Sequence, residues 1–337
     1  MQDCAAACIG HTGVVVIGRN EGAGLRESLA AIALPPAQIV YVDSGSTDDS
    51  VAIARASGAA VIELDASRPF TAARGRNAGL QHFIEKWPSL QYIQFVDGDS
   101  LLEPGWLEQA YSYLQAEPQV AAVCGRLRER NPDASIYHRL AAIEWDVPPG
   151  PTAACGGNAM YRASAIVAEG GFDESMPGGE EPDLCFRLRK SGWQIVRLDA
   201  PMAVHDIGPM TFRDWWRRSK RAGQAFAQAA WRYRNEPGRP WVREALRDWF
   251  WAGLVPLAFV LALWLVGAIA VLILLLYVVA IIRPAWRQYR SGTCSVWTCL
   301  AYGGFVLLGK FAGLQGQVAL AARSNTASPK SAPVCRT

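Results

Sequence analysis

The chain has 337 residues, enough for one sizeable α/β domain and an appendage. Its formal net charge of +3 is too near balance to imply a nucleic-acid partner. Eight cysteines without a CxxC pair signal neither a zinc site nor a disulfide framework, and they read as reduced, buried thiols.

The N-terminal stretch is apolar around Ala5-Ala6-Ala7 but lacks the basic lead and long apolar core of a signal peptide, so the first domain is expected in the cytoplasm. Val14-Val15-Val16-Ile17 is a short β-branched run, and Leu25, Leu29 and Ile32 recur at helical spacing between Gly22 and Ala33. A strand followed by a helix is predicted. Ile39-Val40-Tyr41-Val42 predicts a second strand, opening into the polar turn Asp43-Ser44-Gly45-Ser46-Thr47-Asp48-Asp49, after which Val51, Ile53 and Ala54 begin a helix. Val61-Ile62-Glu63-Leu64 predicts a third strand, Arg74 to Trp87 a helix, and Tyr92-Ile93-Gln94-Phe95-Val96 a buried strand that ends on Asp97-Gly98-Asp99.

Such alternation implies a mostly parallel sheet with helical crossovers, and ligands of open sheets bind beyond the carboxyl ends of the strands. Glu21, Asp43, Asp97 and Asp99 all lie just past such ends, so four acidic residues distant in sequence are expected in one cleft. From Val120 to Asp206 the pattern is less regular. The pair Gly156-Gly157, the turn Gly170-Gly171-Phe172-Asp173 and a helix from Asp183 to Ser191 are expected to supply the cleft's other side.

Phe212 to Tyr233 sets Trp215, Trp216, Phe226 and Trp231 among Arg213, Arg217, Arg218, Lys220, Arg221 and Arg232. This composition suits a helix at a lipid surface, and a helix packed through its tryptophans is the alternative. Trp249 to Ile282 contains no charged residue, and about 20 apolar residues suffice to cross a bilayer. A single crossing would separate Arg239, Arg243 and Arg247 from Arg283, Arg287 and Arg290, against the tendency of basic flanks to stay inside. Two short spans or a re-entrant hairpin turning near Gly267 would keep both basic flanks inside, and the hairpin is preferred. Ser295 to Gly309 is a third candidate span with Lys310 placed to snorkel, and the polar tail from Arg323 is read as disordered. The expected organisation is a tail over 1–11, an α/β domain over 12–208, a basic interfacial region over 209–248, membrane segments over 249–320 and a tail over 321–337.

Asp97 and Asp99 flank a glycine that permits close approach, and Mg²⁺ and Mn²⁺ prefer such oxygen donors. The same three residues also form a common Asx-type turn. Position favours the ligand reading, because the turn follows a buried strand and two earlier acidic strand ends. Gly18-Arg19-Asn20-Glu21, Val42-Asp43-Ser44-Gly45-Ser46-Thr47-Asp48-Asp49-Ser50, Arg74-Gly75-Arg76-Asn77-Ala78-Gly79, Asp97-Gly98-Asp99 and Gly179-Glu180-Glu181-Pro182-Asp183-Leu184-Cys185-Phe186-Arg187-Leu188 stand in that order. Over about Val14 to His205 the chain resembles the family 2 glycosyltransferases of the GT-A fold.

The resemblance implies an α/β GT-A fold, a mostly parallel central sheet with flanking helices, followed here by C-terminal membrane helices. It implies metal-dependent, inverting transfer from a nucleoside-diphosphate sugar. Asp43 would pair with the nucleobase, Arg19 and Glu21 would line the base and ribose pocket, and Asp97 would face the ribose. Asp99 would hold the divalent cation, Mg²⁺ or Mn²⁺. His205 would either complete its shell, with Asp206 orienting the ring, or merely pack. Arg74 and Arg76 compete to reach the diphosphate, with a solvated arginine as the other reading.

Glu181 occupies the place of the family's usual aspartate and is the expected general base. Asp183 is the second candidate or an N-cap, and Glu180 a loop or supporting residue. Gly156, Gly157 and Asn158, with the Arg162 that follows, resemble the acceptor-side loop.

Processive relatives carry a Gln-x-x-Arg-Trp block, whereas Phe212-Arg213-Asp214-Trp215-Trp216-Arg217-Arg218 has similar composition in another order, so transfer of one sugar is expected. The stretch from Asp206 through Arg221-Ala222-Gly223 is similar to bacterial exopolysaccharide enzymes of the succinoglycan-assembly type. That likeness implies a lipid-linked sugar acceptor, contact with membrane lipid, no nucleic acid, and a catalytic domain on the cytoplasmic face of the inner membrane. Transfer to polyprenyl phosphate is the alternative. A nucleotidyltransferase lacks support because no glycine-rich phosphate loop follows the first strand. A non-catalytic membrane scaffold is disfavoured by the intact set Asp43, Asp97, Asp99 and Glu181.

Overall fold

The structure, a computed structural model, describes residue 8 and residues 10–176, 178–292 and 294–326. Most of the expected N-terminal tail, and the tail from 327 onward, lie outside the described residues. The chain divides into two compact units, Met1–Met210 and Thr211–Thr337.

In the first unit, β1 (Thr12–Gly18), α1 (Gly22–Ala30), β2 (Ile39–Asp43), α2 (Ser50–Ala56), β3 (Ala60–Glu63), α3 (Ala72–Lys86) and β4 (Tyr92–Asp97) alternate as the apolar runs predict. They are followed by β5 (Ser100–Leu102), α4 (Trp106–Ala116), β6 (Val120–Glu129), α5 (Ile136–Trp145), β7 (Gly150–Pro151), β8 (Ala159–Arg162), α6 (Ala163–Ala168), α7 (Glu180–Lys190) and β9 (Gln194–His205). The strands join one sheet in the order β3-β2-β1-β4-β8-β6-β9-β5, with β7 added against β9. Strands β3, β2, β1 and β4 are mutually parallel, and β8 opposes both β4 and β6.

Val14, Val15, Val16, Val40, Val42, Ile93 and Phe95 are buried in the sheet, which is why these strands read as continuous β-branched and aromatic runs. Register sets the site. Gly18 lies opposite Asp43 and Ile17 opposite Asp97, so the acidic ends of β2 and β4 are level on one edge. Antiparallel pairing of β5 with β9 puts Ser100 opposite His205, which carries His205 to Asp99 across more than a hundred residues of chain.

The second unit comprises α8 (Phe212–Arg232), α9 (Val242–Trp249), a π-helical turn over Phe250–Leu254, α10 (Val255–Val266), a 3-10 segment over Gly267–Leu274, α11 (Leu275–Arg290) and α12 (Val296–Thr326). Thr211 and Asp214 close a capping box that starts α8. This helix lays Trp215 against Phe305, ring centroids 4.9 Å apart, and Trp216 Nε1 donates to Gln315 Oε1 at 2.9 Å. Trp215 and Trp216 thus pack on α12, while Trp231 is exposed. A Cβ on Gly223 would lie 2.2 Å from the Gly313 carbonyl oxygen, so small residues let the two helices touch backbone to backbone.

At Gly267, with φ +66°, the chain leaves α10 in a conformation that favours glycine, and Tyr277 Oη returns to donate to the Trp251 carbonyl at 2.9 Å. Three helical stretches, Val242–Val266, Ala270–Arg290 and Val296–Ala322, are long and apolar enough to cross a membrane. Trp264, Leu265, Leu272 and Trp297 are exposed on them. Two expectations change. Lys310 does not snorkel but pairs at 3.2 Å with Asp248, which also accepts from Gln317 Nε2 at 2.9 Å, because a buried carboxylate in a helix bundle requires a counter-charge. Helix α12 also continues to Thr326, beyond the expected start of the tail.

Candidate active site

Beyond the ends of β1 and β4 lies a groove of about 330 Å³ lined by Arg19, Glu21, Ser44, Phe70, Asp97 and Asp99 among others. Asn20 turns the chain out of β1 at φ +59°, a left-handed conformation that asparagine tolerates. Its Oδ1 accepts the Thr47 N–H at 2.7 Å and its own N–H donates to Ser46 Oγ at 2.9 Å, fastening the turn after β1 to the turn after β2. Arg19 places its guanidinium 5.6 Å from the Phe70 ring centroid, and its N–H donates to Glu21 Oε1 at 3.1 Å. Burial pushes the Glu21 carboxyl up to about 7 against that hydrogen bond, with Asp99, Asp97 and Asp48 adding to the rise.

Asp99 stands in the same crowd. Burial, then Asp97, Asp206 and Glu129, push its carboxyl up to about 7. His205 Nε2 lies 3.2 Å from Asp99 Oδ1, and its ring rests on Trp145 with centroids 4.8 Å apart. Glu129, His138 and Asp206 converge beside them, their donor atoms all within 4.8 Å of one another. Glu129 is 6% exposed, and its Oε2 has no hydrogen-bond partner among the described residues. Ser135 Oγ, 2.8 Å from His138 Nδ1, holds that ring. Carboxylate oxygens and imidazole nitrogens held together without enough positive charge fit a hard divalent cation, and Asp99 and His205 are among the residues that could hold one. Glu129 and His138 were not evident in the sequence; the one signal is a carboxylate as the last residue of β6.

Asp97 lines the groove but is already engaged. Its N–H donates to Asn158 Oδ1 at 3.0 Å, and its Oδ1 accepts from Arg76 Nη2 at 2.9 Å. Arg76, 4% exposed, also donates to Glu180 Oε1 at 2.5 Å. This pairing engages Arg76, expected to compete for a diphosphate, with two carboxylates whose release burial makes costly. It also gives Glu180 a definite role as a partner of Arg76. Arg74 likewise does not enter the groove. Its guanidinium donates to the carbonyls of Arg68 at 2.8 Å, Pro69 at 2.9 Å and Asp65 at 3.1 Å, holding the loop that carries Phe70.

Asp43 is 2% exposed and accepts from the Gly45 and Ser46 N–H groups at 2.9 and 2.8 Å, from Ser46 Oγ at 2.5 Å and from Tyr41 Oη at 3.1 Å. The carboxylate is the keystone of its own turn.

On the other side, Gly156 has open space around its Cα, whereas a Cβ on Gly157 would lie 2.3 Å from Asp97 Oδ2. Glycine is what lets this loop close on the acidic turn. Asn158, expected to face an acceptor, instead braces that turn from within: besides accepting from Asp97 it donates to Ser100 Oγ at 3.1 Å. Arg162 points away, to the carbonyl of Leu114 at 2.8 Å and to Tyr92 Oη at 3.2 Å.

Glu181 lies in the first turn of α7 and is buried, its Oε1 accepting the Cys155 N–H at 2.6 Å and the Cys185 thiol at 2.8 Å. Burial raises its carboxyl above the ordinary range, while Cys185, the Cys155 and Gly156 N–H groups and Arg76 oppose the rise. Asp183 is fully buried and paired with Arg187 Nε at 2.9 Å. Arg187 also holds the Glu169 and Gly171 carbonyls at 2.6 and 2.8 Å, so through Arg187 the Asp183 carboxylate anchors the turn before α7.

With this geometry in place, comparison with known families decides the lineage. The glycosyl transferase family 2 model matches residues 13–166, and the glycosyl transferase family group 2 model matches residues 92–302, more than half of the chain. The chain belongs to glycosyl transferase family group 2. This family group 2 member is 30% identical over 236 residues to the pre-mycofactocin glycosyltransferase of Mycobacterium tuberculosis (strain H37Rv), which covers 65% of this chain and 47% of that protein. It is 28% identical over 134 residues to glucomannan 4-beta-mannosyltransferase 2 of Arabidopsis thaliana, covering 36% of this chain and 25% of that one. The chain thus spans about half the length, or less, of the curated relatives it matches.

Among solved structures it is similar to the mannosyltransferase PcManGT from Pyrobaculum calidifontis in complex with GDP-Man and Mn²⁺, with a TM-score of 0.54 and 19% identity over 94% of this chain and 87% of that one. S. aureus TarS 1-349 superposes with a TM-score of 0.50 and 15% identity over 94% of this chain and 92% of that one. These likenesses show the α/β GT-A fold for this family group 2 chain.

Proposed function

We propose that this chain transfers one sugar, with inversion, from a nucleoside-diphosphate sugar to a lipid-linked oligosaccharide at a membrane, in bacterial surface or exopolysaccharide assembly. The observation that carries the reading is the crowding of Glu21, Asp97, Asp99 and His205 around one groove at the carboxyl ends of β1 and β4. Family membership and the Mn²⁺ and GDP-Man bound to the Pyrobaculum mannosyltransferase support a nucleotide-sugar and a divalent cation as occupants.

The nucleoside would lie along Arg19, Glu21 and Ser44, with Phe70 as an apolar wall and Asp43 holding the turn that meets the base. Asp97, fixed by Arg76 and Asn158, would accept from the ribose. Asp99 and His205 would hold Mg²⁺ or Mn²⁺, which as a Lewis acid neutralises the charge developing on the leaving diphosphate. Glu181 takes the proton of the acceptor hydroxyl as its oxygen bonds to the anomeric carbon and the bond to the diphosphate breaks. A carboxyl raised by burial suits a base working near neutrality. Three apolar helices and the arginines of α8 support a lipid-borne acceptor and a cytoplasmic active site on the inner membrane.

Incubation of the detergent-purified chain with a panel of nucleotide-sugars and lipid extract tests the reading. Labelled sugar should move into the organic phase in the presence of Mn²⁺. Label released only as free sugar, or not at all, would contradict it. Transfer to polyprenyl phosphate would show as a product that carries a single sugar.

A further inference from the structure

Three thiols from three separate elements meet beside Glu181, although their sequence spacing gives no such sign. Cys124 comes from β6, Cys155 from the loop that leads to β8, and Cys185 from α7, one turn after Glu181 on the same helical face. All are buried, Cys124 and Cys185 fully. The donor atoms of Cys155, Glu181 and Cys185 lie within 4.8 Å of one another, and Cys185 Sγ sits 2.8 Å from Glu181 Oε1. The Cys124 thiol lies 4.0 Å from the Val196 carbonyl and stands outside this group of three donors.

We propose that Cys155, Cys185 and Glu181 form a binding site for a soft divalent cation of the zinc class. A tetrahedral centre with Zn–S of about 2.3 Å and Zn–O of about 2.0–2.2 Å places its donors roughly 3.5–3.8 Å apart, within the spread seen here. Thiolates select zinc-class ions, whereas the oxygen-rich set around Asp99 selects Mg²⁺ or Mn²⁺, so ligand softness would sort two kinds of cation into two sites. Binding displaces the thiol protons and the Cys185–Glu181 hydrogen bond. An occupied site holds the Glu181 carboxylate on the cation and away from an acceptor, an inhibitory consequence that rests on the reading of Glu181 as the base.

Cadmium reports such a site directly, because thiolate-to-Cd²⁺ charge transfer absorbs in the ultraviolet where Mn²⁺ sites are silent. The full chain, in detergent and with Mn²⁺ present, should show one Cd²⁺ equivalent with this band, displaced by Zn²⁺. Cys155→Ala and Cys185→Ser should each weaken it at least about tenfold, as loss of one ligand of a small set demands. Cys299→Ala, in the second unit, should leave it unchanged. Absence of the band from the unsubstituted chain, or its persistence in the Cys155→Ala/Cys185→Ala double variant, would overturn the site. Transfer should fall in step with Cd²⁺ occupancy. If Glu181→Gln transfers sugar normally, the base assignment and the inhibitory consequence fail, while the band still decides whether the metal site exists.

Discussion

On the donor side of the site, Glu21 and Asp99 sit among further carboxylates and are both pushed up to about 7, and Glu129 keeps a buried oxygen without a partner among the described residues. On the α7 side each carboxylate has its counterpart: Glu180 with Arg76, Asp183 with Arg187, Glu181 with two N–H groups and a thiol. The first arrangement carries more negative charge than its own side chains neutralise, and the second is complete in itself. A charge deficit of this kind favours a bound cation, which supports the proposed cation site on the first side and the proposed base on the second.

The largest effect is expected at the complete side. Glu181→Gln should lower transfer by about 10²–10⁴-fold, the usual worth of a positioned base, while nucleotide affinity changes little. Rate and affinity falling together would make Glu181 structural. Arg76→Met tests whether Asp97 and Glu180 depend on one buried cation. Denaturant unfolding should show a loss of about 3–5 kcal/mol, since two carboxylates would be stranded, and a loss under about 1 kcal/mol would mean that they rearrange freely.

Asn158→Ala removes the acceptor of the Asp97 N–H and the donor to Ser100, for an expected cost of about 1–3 kcal/mol with weakened nucleotide binding. Smallest is the response to pH on the incomplete side. Asp99 binds a cation as the carboxylate, and its raised pKa means that protons compete below about 7, so Mn²⁺ affinity should fall up to about tenfold per pH unit of acidification. The same shift has the opposite sign for the metal-free chain. Stability contributed by the protonated forms of Glu21 and Asp99 is present below their unfolded pKa and is lost as pH rises through about 7. Added Mn²⁺ should therefore stabilise most at alkaline pH.

Much of the donor side could be read from the sequence because it rests on local signals: β-branched runs, the polar turn after Val42, and an acidic pair at a strand end. Parallel pairing of β1, β2 and β4 then makes Asp43 and Asp97 level without further information. What escaped depends on partners far away in the chain. Whether Arg74 or Arg76 faces a phosphate is decided by which carbonyls and carboxylates surround it, and Arg76 meets Glu180 across 104 residues. Asp183 looks like a cap from its position, yet Arg187 one turn later claims it. His138 reaches Glu129 only because α5 folds back beside the end of β6. The thiols of Cys124, Cys155 and Cys185 have no sequence spacing to betray them, since three unlike elements bring them together.

We propose that the acidic crowd at Asp99 holds a divalent cation under a nucleotide. Calorimetric titration of UDP and GDP into the detergent-purified chain, with and without Mn²⁺, tests it most directly when repeated on Asp99→Ala. One of the two nucleotides should bind the unsubstituted chain with Mn²⁺ and at least about tenfold more weakly without it, and Asp99→Ala should abolish the difference. Nucleotide affinity that ignores Mn²⁺, or a Mn²⁺ effect that survives Asp99→Ala, would contradict the account.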